Sequence, residues 1–262
     1  MRAAVFSDVH GNLLALEAVL ADAQSEGVDE YWIVGDLVAH GPHPAQTAIR
    51  LMGVANGRFV RGNTDRYVLT GDVSGMIPAI DNPATLAESQ TLAAAQNSFA
   101  WTRGALTAVG AYDWLASLPV EQRFGLPDAT RVLLVHAAPG RDDGPGIHDG
   151  LSDKAFATTV ADADADLIFV GHTHKPLDKS GGGCRVVNLG SVSLPATSDP
   201  RAMWTLVTVK DDILEVQRRF SNYDVGIVLA ALDSEHHPSA EWLKAKLTRP
   251  LIQTDHSCRL SN

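Results

Sequence analysis

The sequence predicts an α/β fold, because short apolar runs of strand length alternate with segments whose apolar residues recur at helical spacing. Residues 3–6 form the first such run, and it stops abruptly in polar residues. After Asn12, a favoured helix N-cap residue, Leu13, Leu16 and Leu20 recur on one helical face. Strand, loop and helix in this order are the opening of an α/β unit.

Each of five predicted strands ends near a polar residue able to bind a metal ion. The apolar runs at residues 3–6, 31–34, 59–60, 132–135 and 167–170 are followed by Asp8, Asp36, Asn63, His136 and His172, in that order. In open α/β sheets ligands bind beyond the carboxyl ends of the strands. We therefore expect these five strand ends to converge on one site.

The remaining segments fit one domain spanning residues 1–262. An Ala-rich stretch at residues 85–118 predicts two or three helices, which we assign to a helical insert at about residues 71–118 beside the site. Two apolar runs split by three polar residues predict a late β-hairpin at residues 204–209 and 213–220. A helical tail at about residues 223–262 follows, with helices predicted at residues 225–232 and 240–247.

Composition excludes several classes of function. The chain of 262 residues has 31 acidic and 21 basic residues, a formal net charge of −10, which disfavours constitutive binding to nucleic acid or to anionic membranes. Cys184 and Cys258 are far apart, so neither a disulfide framework nor a thiolate zinc site is indicated. The first apolar run is broken at Asp8, and no apolar stretch approaches the roughly 20 residues of a membrane span. We expect a soluble, cytoplasmic protein.

Spacing and residue type predict a metal site. Asp8 and His10 are two residues apart, which places both side chains on one face of an extended segment, and His172 and His174 repeat this spacing. Imidazole nitrogen with carboxylate or amide oxygen suits Zn²⁺, Mn²⁺ or Fe ions. Seven candidate ligands exceed the usual set of one ion, which favours two metals that share a bridging carboxylate. The candidates are Asp8, His10, Asp36, Asn63, His136, His172 and His174.

Five motifs of the chain resemble the calcineurin-like metallophosphoesterase superfamily, in the order in which that superfamily has them. They are Asp8-Val9-His10-Gly11-Asn12, Gly35-Asp36-Leu37-Val38, Gly62-Asn63-Thr64-Asp65, Val135-His136 and Gly171-His172-Thr173-His174. The chain looks most like the compact bacterial and archaeal phosphodiesterase branch. The resemblance implies a two-sheet αββα sandwich of the metallophosphoesterase type, with helices on the outer faces and the last hairpin extending one sheet.

The resemblance also implies a role for each ligand. One metal is expected to be held by Asp8, His10, Asp36 and His174. The other is expected to be held by Asp36, Asn63, His136 and His172, so that Asp36 bridges. The implied cofactors are two divalent or mixed-valence transition metal ions, of Mn, Fe, Zn or Ni, and the implied nucleophile is a metal-activated hydroxide. Asp36 and Asn63 are therefore expected to be essential for catalysis.

The chain departs from the family pattern at Thr64, where many members have a histidine that stabilises the transition state or protonates the leaving group. His40 and His43 are the candidates for proton transfer or substrate contact in its place. We expect Asp65 to accept a ring N–H from a metal-binding histidine. Asn12 is expected either to cap its helix or to contact phosphate.

The predicted function is a dinuclear metal-dependent phosphodiesterase acting on a small phosphoester. A phosphomonoesterase for nucleotides or phosphoproteins is the enzymatic alternative, and it would be favoured by histidine at position 64 and arginine near position 40, where the chain has Thr64 and His40. A non-catalytic scaffold of the same fold is the alternative from another class, and the presence of all seven candidate ligands argues against it. The natural substrate and homo-oligomerisation are left open by the sequence.

Overall fold

The structure, a computed structural model, describes residues 1–73 and 85–248. The ten strands among them are β1 (Arg2–Phe6), β2 (Glu30–Val34), β3 (Gly57–Val60), β4 (Glu121–Gly125), β5 (Arg131–Val135), β6 (Leu167–Val170), β7 (Leu177–Gly181), β8 (Cys184–Asn188), β9 (Ala202–Lys210) and β10 (Ile213–Ser221). The eight helices are α1 (Leu13–Ser25), α2 (Pro44–Met52), α3 (Asn63–Thr70), α4 (Leu86–Ala108), α5 (Tyr112–Ser117), α6 (Asp153–Val160), α7 (Val225–Ser234) and α8 (Ala240–Leu247).

The strands form two five-stranded sheets, which confirms the predicted two-sheet α/β class. The first sheet has the order β10-β9-β1-β2-β3, and the second has the order β4-β5-β6-β8-β7. Each sheet contains three neighbouring parallel strands, β1-β2-β3 at one side of the first sheet and β5-β6-β8 in the middle of the second. The remaining strands pair antiparallel: β9 with β1 and β10, β4 with β5, and β7 with β8. The β9–β10 hairpin extends the first sheet, as expected.

Alternating side chains of β1 explain how the layers pack. Ala3 and Val5 belong to the core between the two sheets, where they meet residues such as Leu134 and Phe169 of the second sheet. Ala4 and Phe6 point the other way, into the core shared with α1 and the other helices on that side. A third core covers the outer face of the second sheet with α6. The order of layers is therefore helix, sheet, sheet, helix.

The segments predicted as insert and tail are helical where the structure describes them. α4 and α5 occupy the insert, and α4 packs Phe99 and Leu106 into the core that contains Tyr67 of α3. α7 and α8 pack together through Val228 and Leu243. Residues 74–84 of the insert and residues 249–262 of the tail lie outside the described residues, and the assignment of residues 1–262 to one domain stays a prediction.

Four elements have no counterpart in the sequence prediction: α2, α3, α6 and β4. The glycines at residues 181–183, which predict a turn between two strands, form the connection between β7 and β8. The strands β4 and β7 are the two edges of the second sheet and are only half-buried, so their sequences lack an apolar run. None of the helices in the described ranges combines the length and apolar character needed to cross a bilayer.

Candidate metal centre

Loops that follow the parallel strands of both sheets bring four predicted ligands together. Asp8, His10, Asp36 and His174 each offer one ligand atom, and these four atoms lie within 4.8 Å of one another. His174 Nε2 is 3.0 Å from Asp8 Oδ1 and 3.1 Å from His10 Nε2. His10 Nε2 is 3.7 Å from Asp36 Oδ2. The four residues therefore surround one point with two oxygens and two nitrogens.

The other three predicted ligands, Asn63, His136 and His172, form the second ligand group, of which His136 lies against Asp36. His136 Nε2 is 3.3 Å from Asp36 Oδ1, whereas His10 faces Oδ2 of the same carboxylate. His172 Nδ1 is 2.9 Å from Asn63 Oδ1. The two oxygens of Asp36 thus face two different histidines, His10 and His136.

Backbone carbonyls fix which ring nitrogen of each histidine can bind a cation. His136 Nδ1 is 2.8 Å from Val34 O, His174 Nδ1 is 2.7 Å from Leu194 O, and His172 Nε2 is 2.7 Å from Gly144 O. A carbonyl oxygen only accepts, so each of these nitrogens carries the proton and donates it. The other nitrogen of each neutral ring then presents a lone pair to the carboxylate or amide oxygen that faces it.

Lone pairs that face each other at hydrogen-bond distance repel, so a proton or a cation has to lie between them. Asp8 Oδ1 and His136 Nε2 are buried and have no hydrogen-bond partner among the described residues, which leaves both atoms available to a metal ion. Oxygen and imidazole donors without thiolate suit the borderline transition metals. The residues present therefore fit the metal ions that the sequence analysis expects.

Protons would occupy the site when no cation does, as the pKa values indicate. Burial lowers the pKa of His136, but the negative charge of Asp36 outweighs burial and raises it to about 10. Burial likewise lowers the pKa of His174, yet Asp8 raises it above its ordinary value. Burial raises the pKa of Asp36, but His136 and His10 hold it below the usual range. Two buried carboxylates therefore stay charged, and their charge needs compensation.

A family model decides what kind of protein carries this centre. The calcineurin-like phosphoesterase superfamily domain matches residues 1–212. The chain belongs to this superfamily. The match includes all seven predicted ligands.

Three similar proteins come from bacteria and an archaeon. Protein MJ0912 of Methanocaldococcus jannaschii is 27% identical and matches 93% of this chain and 96% of its own length. Phosphodiesterase YfcE of Escherichia coli is 27% identical and matches 80% of this chain and 88% of its own length. The crystal structure of a metallophosphoesterase from Sphaerobacter thermophilus, at 28% identity, covers 95% of this chain and 99% of that chain with a TM-score of 0.73.

Asp8 of the phosphoesterase is oriented by neighbours that the sequence analysis missed. Its Oδ2 accepts hydrogen bonds from the Ser7 hydroxyl and, at 3.2 Å, from the backbone N–H of His172. Ser191 Oγ donates to the backbone oxygen of Asp8 over 3.0 Å. With Oδ2 engaged, Oδ1 is turned toward His174. Ser7 adjoins Asp8 in the chain, so extended geometry would have put the two side chains on opposite faces, and no sequence signal connects them.

Asp36 is held by the start of α3. The backbone N–H of Thr64 donates to Asp36 Oδ1 over 2.9 Å. A Cβ atom on Gly62 would overlap the Asp36 carboxylate, so glycine is required there for the close approach of the two residues. Gly35 is required for a different reason, because its φ of +79° is a left-handed conformation that favours glycine. The Thr64 hydroxyl is buried and makes no hydrogen bond with a described residue.

The expectation that Asp65 orients a histidine is wrong. Its two oxygens accept the backbone N–H groups of Leu37, over 3.0 Å, and of Gly62, over 2.9 Å. Asp65 therefore ties the loop after β2 to the loop after β3, and the histidines are oriented by backbone carbonyls instead. Burial and the nearby charge of Asp36 raise the pKa of Asp65 to about 7.

The remaining candidate residues do not all face the centre. Asn12 caps α1 by accepting the Ala15 N–H, and its amide nitrogen donates to Ser193 Oγ, so its polar atoms are engaged within the protein. His40 lies against His10, with ring centroids 5.4 Å apart, and its Nδ1 is 3.3 Å from Ser98 Oγ. His43 precedes α2 as its N-cap, and its buried Nδ1 has no hydrogen-bond partner among the described residues.

Proposed function

We propose that the protein is a dinuclear metal-dependent phosphodiesterase that acts on a small phosphoester. The observation that carries the proposal is the placement of the two Asp36 oxygens. One faces His10 at 3.7 Å and the other faces His136 at 3.3 Å. The 27% identity to phosphodiesterase YfcE supports the choice of diester chemistry.

The residues of the centre bind and orient, and none of them is needed as a nucleophile. Two divalent cations held there would supply the Lewis acidity that activates water and binds phosphoryl oxygens during in-line displacement. Asp8, Asp36 and the histidines would set the positions of the ions. Val34, Leu194 and Gly144 hold the imidazoles through their carbonyl oxygens, which keeps the ligand lone pairs aimed inward.

Protonation of the leaving group is the step for which neither Thr64 nor His40 is a strong candidate. Thr64 has no acidic proton near neutral pH. Burial, together with the charge of His10, holds the pKa of His40 well below its ordinary value, so the ring is neutral and its Nδ1 is engaged with Ser98. The proposal therefore includes a preference for diesters whose leaving group departs without a proton, such as aryl diesters.

Turnover after chelation and reconstitution with Mn²⁺, Zn²⁺, Fe²⁺ or Ni²⁺ tests the proposal. Bis(p-nitrophenyl) phosphate represents diesters, and p-nitrophenyl phosphate represents monoesters. We expect the diester to have the higher kcat/KM and the chelated protein to be inactive, with His148→Gln, outside the centre, as a control that behaves like the unmodified protein. Full activity of a demonstrably metal-free sample would refute the mechanism. Faster monoester cleavage would favour the phosphomonoesterase alternative, and inactivity with every metal would favour the scaffold.

A further inference from the structure

An open cleft of about 500 Å³ lies beside the second ligand group. Three arginines contribute to its lining: Arg61 at the end of β3, Arg66 in α3 and Arg141 in the loop that follows β5. Asp142, Asp143 and Gly144 of the same loop complete the wall on that side. We refer to this space as the arginine cleft. Its volume is within the range of about 300–1,000 Å³ that is typical of small-molecule sites.

The arginine cleft adjoins the candidate metal centre. The carbonyl oxygen of Gly144, which lines the cleft, accepts the Nε2 proton of His172 over 2.7 Å, and Nδ1 of the same ring faces Asn63. One imidazole ring therefore separates the cleft wall from the second ligand group. Arg61 adds a covalent connection, because only Gly62 stands between it and Asn63 in the chain.

The two aspartates of the cleft are already engaged within the protein. Arg66 donates from Nε to Asp142 over 3.0 Å and from its terminal nitrogen to Asp143 over 2.8 Å. The Tyr67 hydroxyl donates to Asp143 as well. These contacts fix the loop against α3 and leave little carboxylate charge free for the other two arginines.

The side chains of Arg61 and Arg141 make no such hydrogen bonds with the described residues. Arg61 Nε is buried without a hydrogen bond to any described residue, and the Asp142 oxygen with which it forms a long ion pair is 4.0 Å away. Arg141 makes no side-chain hydrogen bond or ion pair with any residue in the described ranges. The cleft therefore holds three arginines against two aspartates, and this excess of positive charge in a chain of net charge −10 indicates a ligand that is itself anionic.

We infer that the arginine cleft binds a second phosphate group of the substrate, so that the preferred substrates are phosphodiesters that carry an additional phosphate. This inference rests on the proposed function. Guanidinium groups bind phosphate through paired N–H groups. Because only the His172 ring separates the cleft wall from the second ligand group, one substrate molecule can reach both the arginine cleft and the metal centre. A diester with a single phosphate would occupy the centre and leave the cleft unused.

Two substrates that differ only in the second phosphate test the inference. Thymidine 5′-(p-nitrophenyl phosphate) and its 3′-phosphorylated form both release p-nitrophenolate. We expect the 3′-phosphate to raise kcat/KM about tenfold or more, in line with charge-assisted hydrogen bonds. Arg141→Ala and Arg61→Gln should each reduce this ratio toward one, and Arg141→Lys should restore part of it. Arg185→Ala, on β8 and paired with Asp178, is the matched control and should keep the full ratio. A ratio near one in the unmodified protein overturns the inference, and so does a high ratio that survives both substitutions.

Binding measurements separate this inference from the proposed function. Isothermal titration compares thymidine 3′,5′-bisphosphate with thymidine 5′-monophosphate on the metal-reconstituted full chain. We expect the bisphosphate to bind about tenfold or more tightly, with the advantage lost in Arg141→Ala and kept in Arg185→Ala. If the bisphosphate shows this arginine-dependent advantage while neither nitrophenyl diester is hydrolysed, the inference about the arginine cleft is supported and the phosphodiesterase proposal is refuted. If both diesters are hydrolysed and the bisphosphate has no arginine-dependent advantage, the proposal stands and the cleft inference is refuted.

Discussion

Metal binding to the chelator-treated protein should release protons, and the structure gives their number. At pH 7.2 the metal-free His136 is protonated, because Asp36 overcomes the effect of burial and raises the pKa of His136 to about 10. A cation binds only the neutral ring, so its arrival displaces that proton. His174, whose pKa is raised by Asp8 against the effect of burial, adds to this release. His172 adds none, because burial lowers its pKa. We expect between one and two protons per chain.

The sign of the pH dependence follows from the same values. The histidine protons compete with the metal below the pKa of each ring, so metal affinity rises with pH through the neutral range. One proton released per chain corresponds to about a tenfold gain in affinity for each pH unit, and two protons to about a hundredfold. Affinity should stop rising as the pH approaches 10, the pKa of His136.

Isothermal titration in two buffers measures the proton count directly. Mn²⁺ is titrated at pH 7.2 in PIPES and in HEPES, and the difference in observed heat divided by the difference in buffer ionisation enthalpy gives the protons released. His136→Gln should release about one proton fewer. His148→Gln, in a loop where its ring accepts from Gly150 N–H, should release the same number as the unmodified protein. If the heats of binding, corrected only for dilution, are equal in both buffers, no proton lies between His136 and Asp36 in the metal-free protein. The argument from facing lone pairs would then be wrong.

Three further outcomes are expected. Asp36→Asn should reduce the content of both metals and lower turnover by more than about 100-fold, which is the upper limit for residues that only orient a ligand. Asn63→Ala should leave one metal bound. Elemental analysis that shows two metals in Asp36→Asn would contradict the role of Asp36 as the bridge. Thr64→His should narrow the rate gap between aryl and alkyl diesters by about tenfold or more, since general acid catalysis contributes about 10²- to 10⁴-fold where present; an unchanged gap would place the missing acid elsewhere. Burial lowers the pKa of His237 from 6.5 to about 4, so the unfolded state binds more protons between these values and stability falls as pH drops through this window. Urea unfolding measures how much the free energy of unfolding falls between pH 7 and pH 5, and this fall should be up to about 2 kcal/mol smaller in His237→Gln than in the unmodified protein. An equal fall in both proteins would show that His237 is not buried as a neutral ring.

The sequence predicts the strands that carry the ligands because those strands are buried on both faces. β2 and β6 pack between layers, so each is a nearly continuous apolar run that ends abruptly at Gly35 or Gly171. The ligand that follows each run is therefore visible in the sequence, and parallel strands carry their carboxyl ends to one edge. The edge strand β4 offers no such run, since its half-exposed residues 121–125 alternate in burial.

The orientation of the ligands could not be predicted, because backbone atoms supply it. The carbonyls of Val34, Leu194 and Gly144 hold three imidazoles, and any residue type offers a carbonyl. The arginine cleft was equally hidden. Arg61 and Arg141 are 80 positions apart in the chain, and only the packing of the loop after β5 against α3 brings them to one cleft. Sequence spacing reports contacts within one element, whereas these contacts join separate elements.

Backbone strain and buried charge act at the same residues, and this links the metal to the stability of the loops. Five of the seven predicted ligands have left-handed backbone, with φ of 59° at Asp8, 49° at His10, 54° at Asp36, 67° at His172 and 58° at His174. Such conformations cost of order 1 kcal/mol each for residues other than glycine, less for Asp and His than for branched residues. The fold meets this cost with the hydrogen bonds of Asp65, Ser7 and Ser191, which fix the same loops without a metal. Because these contacts are independent of the ligand atoms, the loops are held in shape before the cations bind. Metal binding therefore needs little free energy to order the ligands. For this reason the displacement of protons from the histidines, and not the folding of the loops, should dominate the pH dependence of metal affinity.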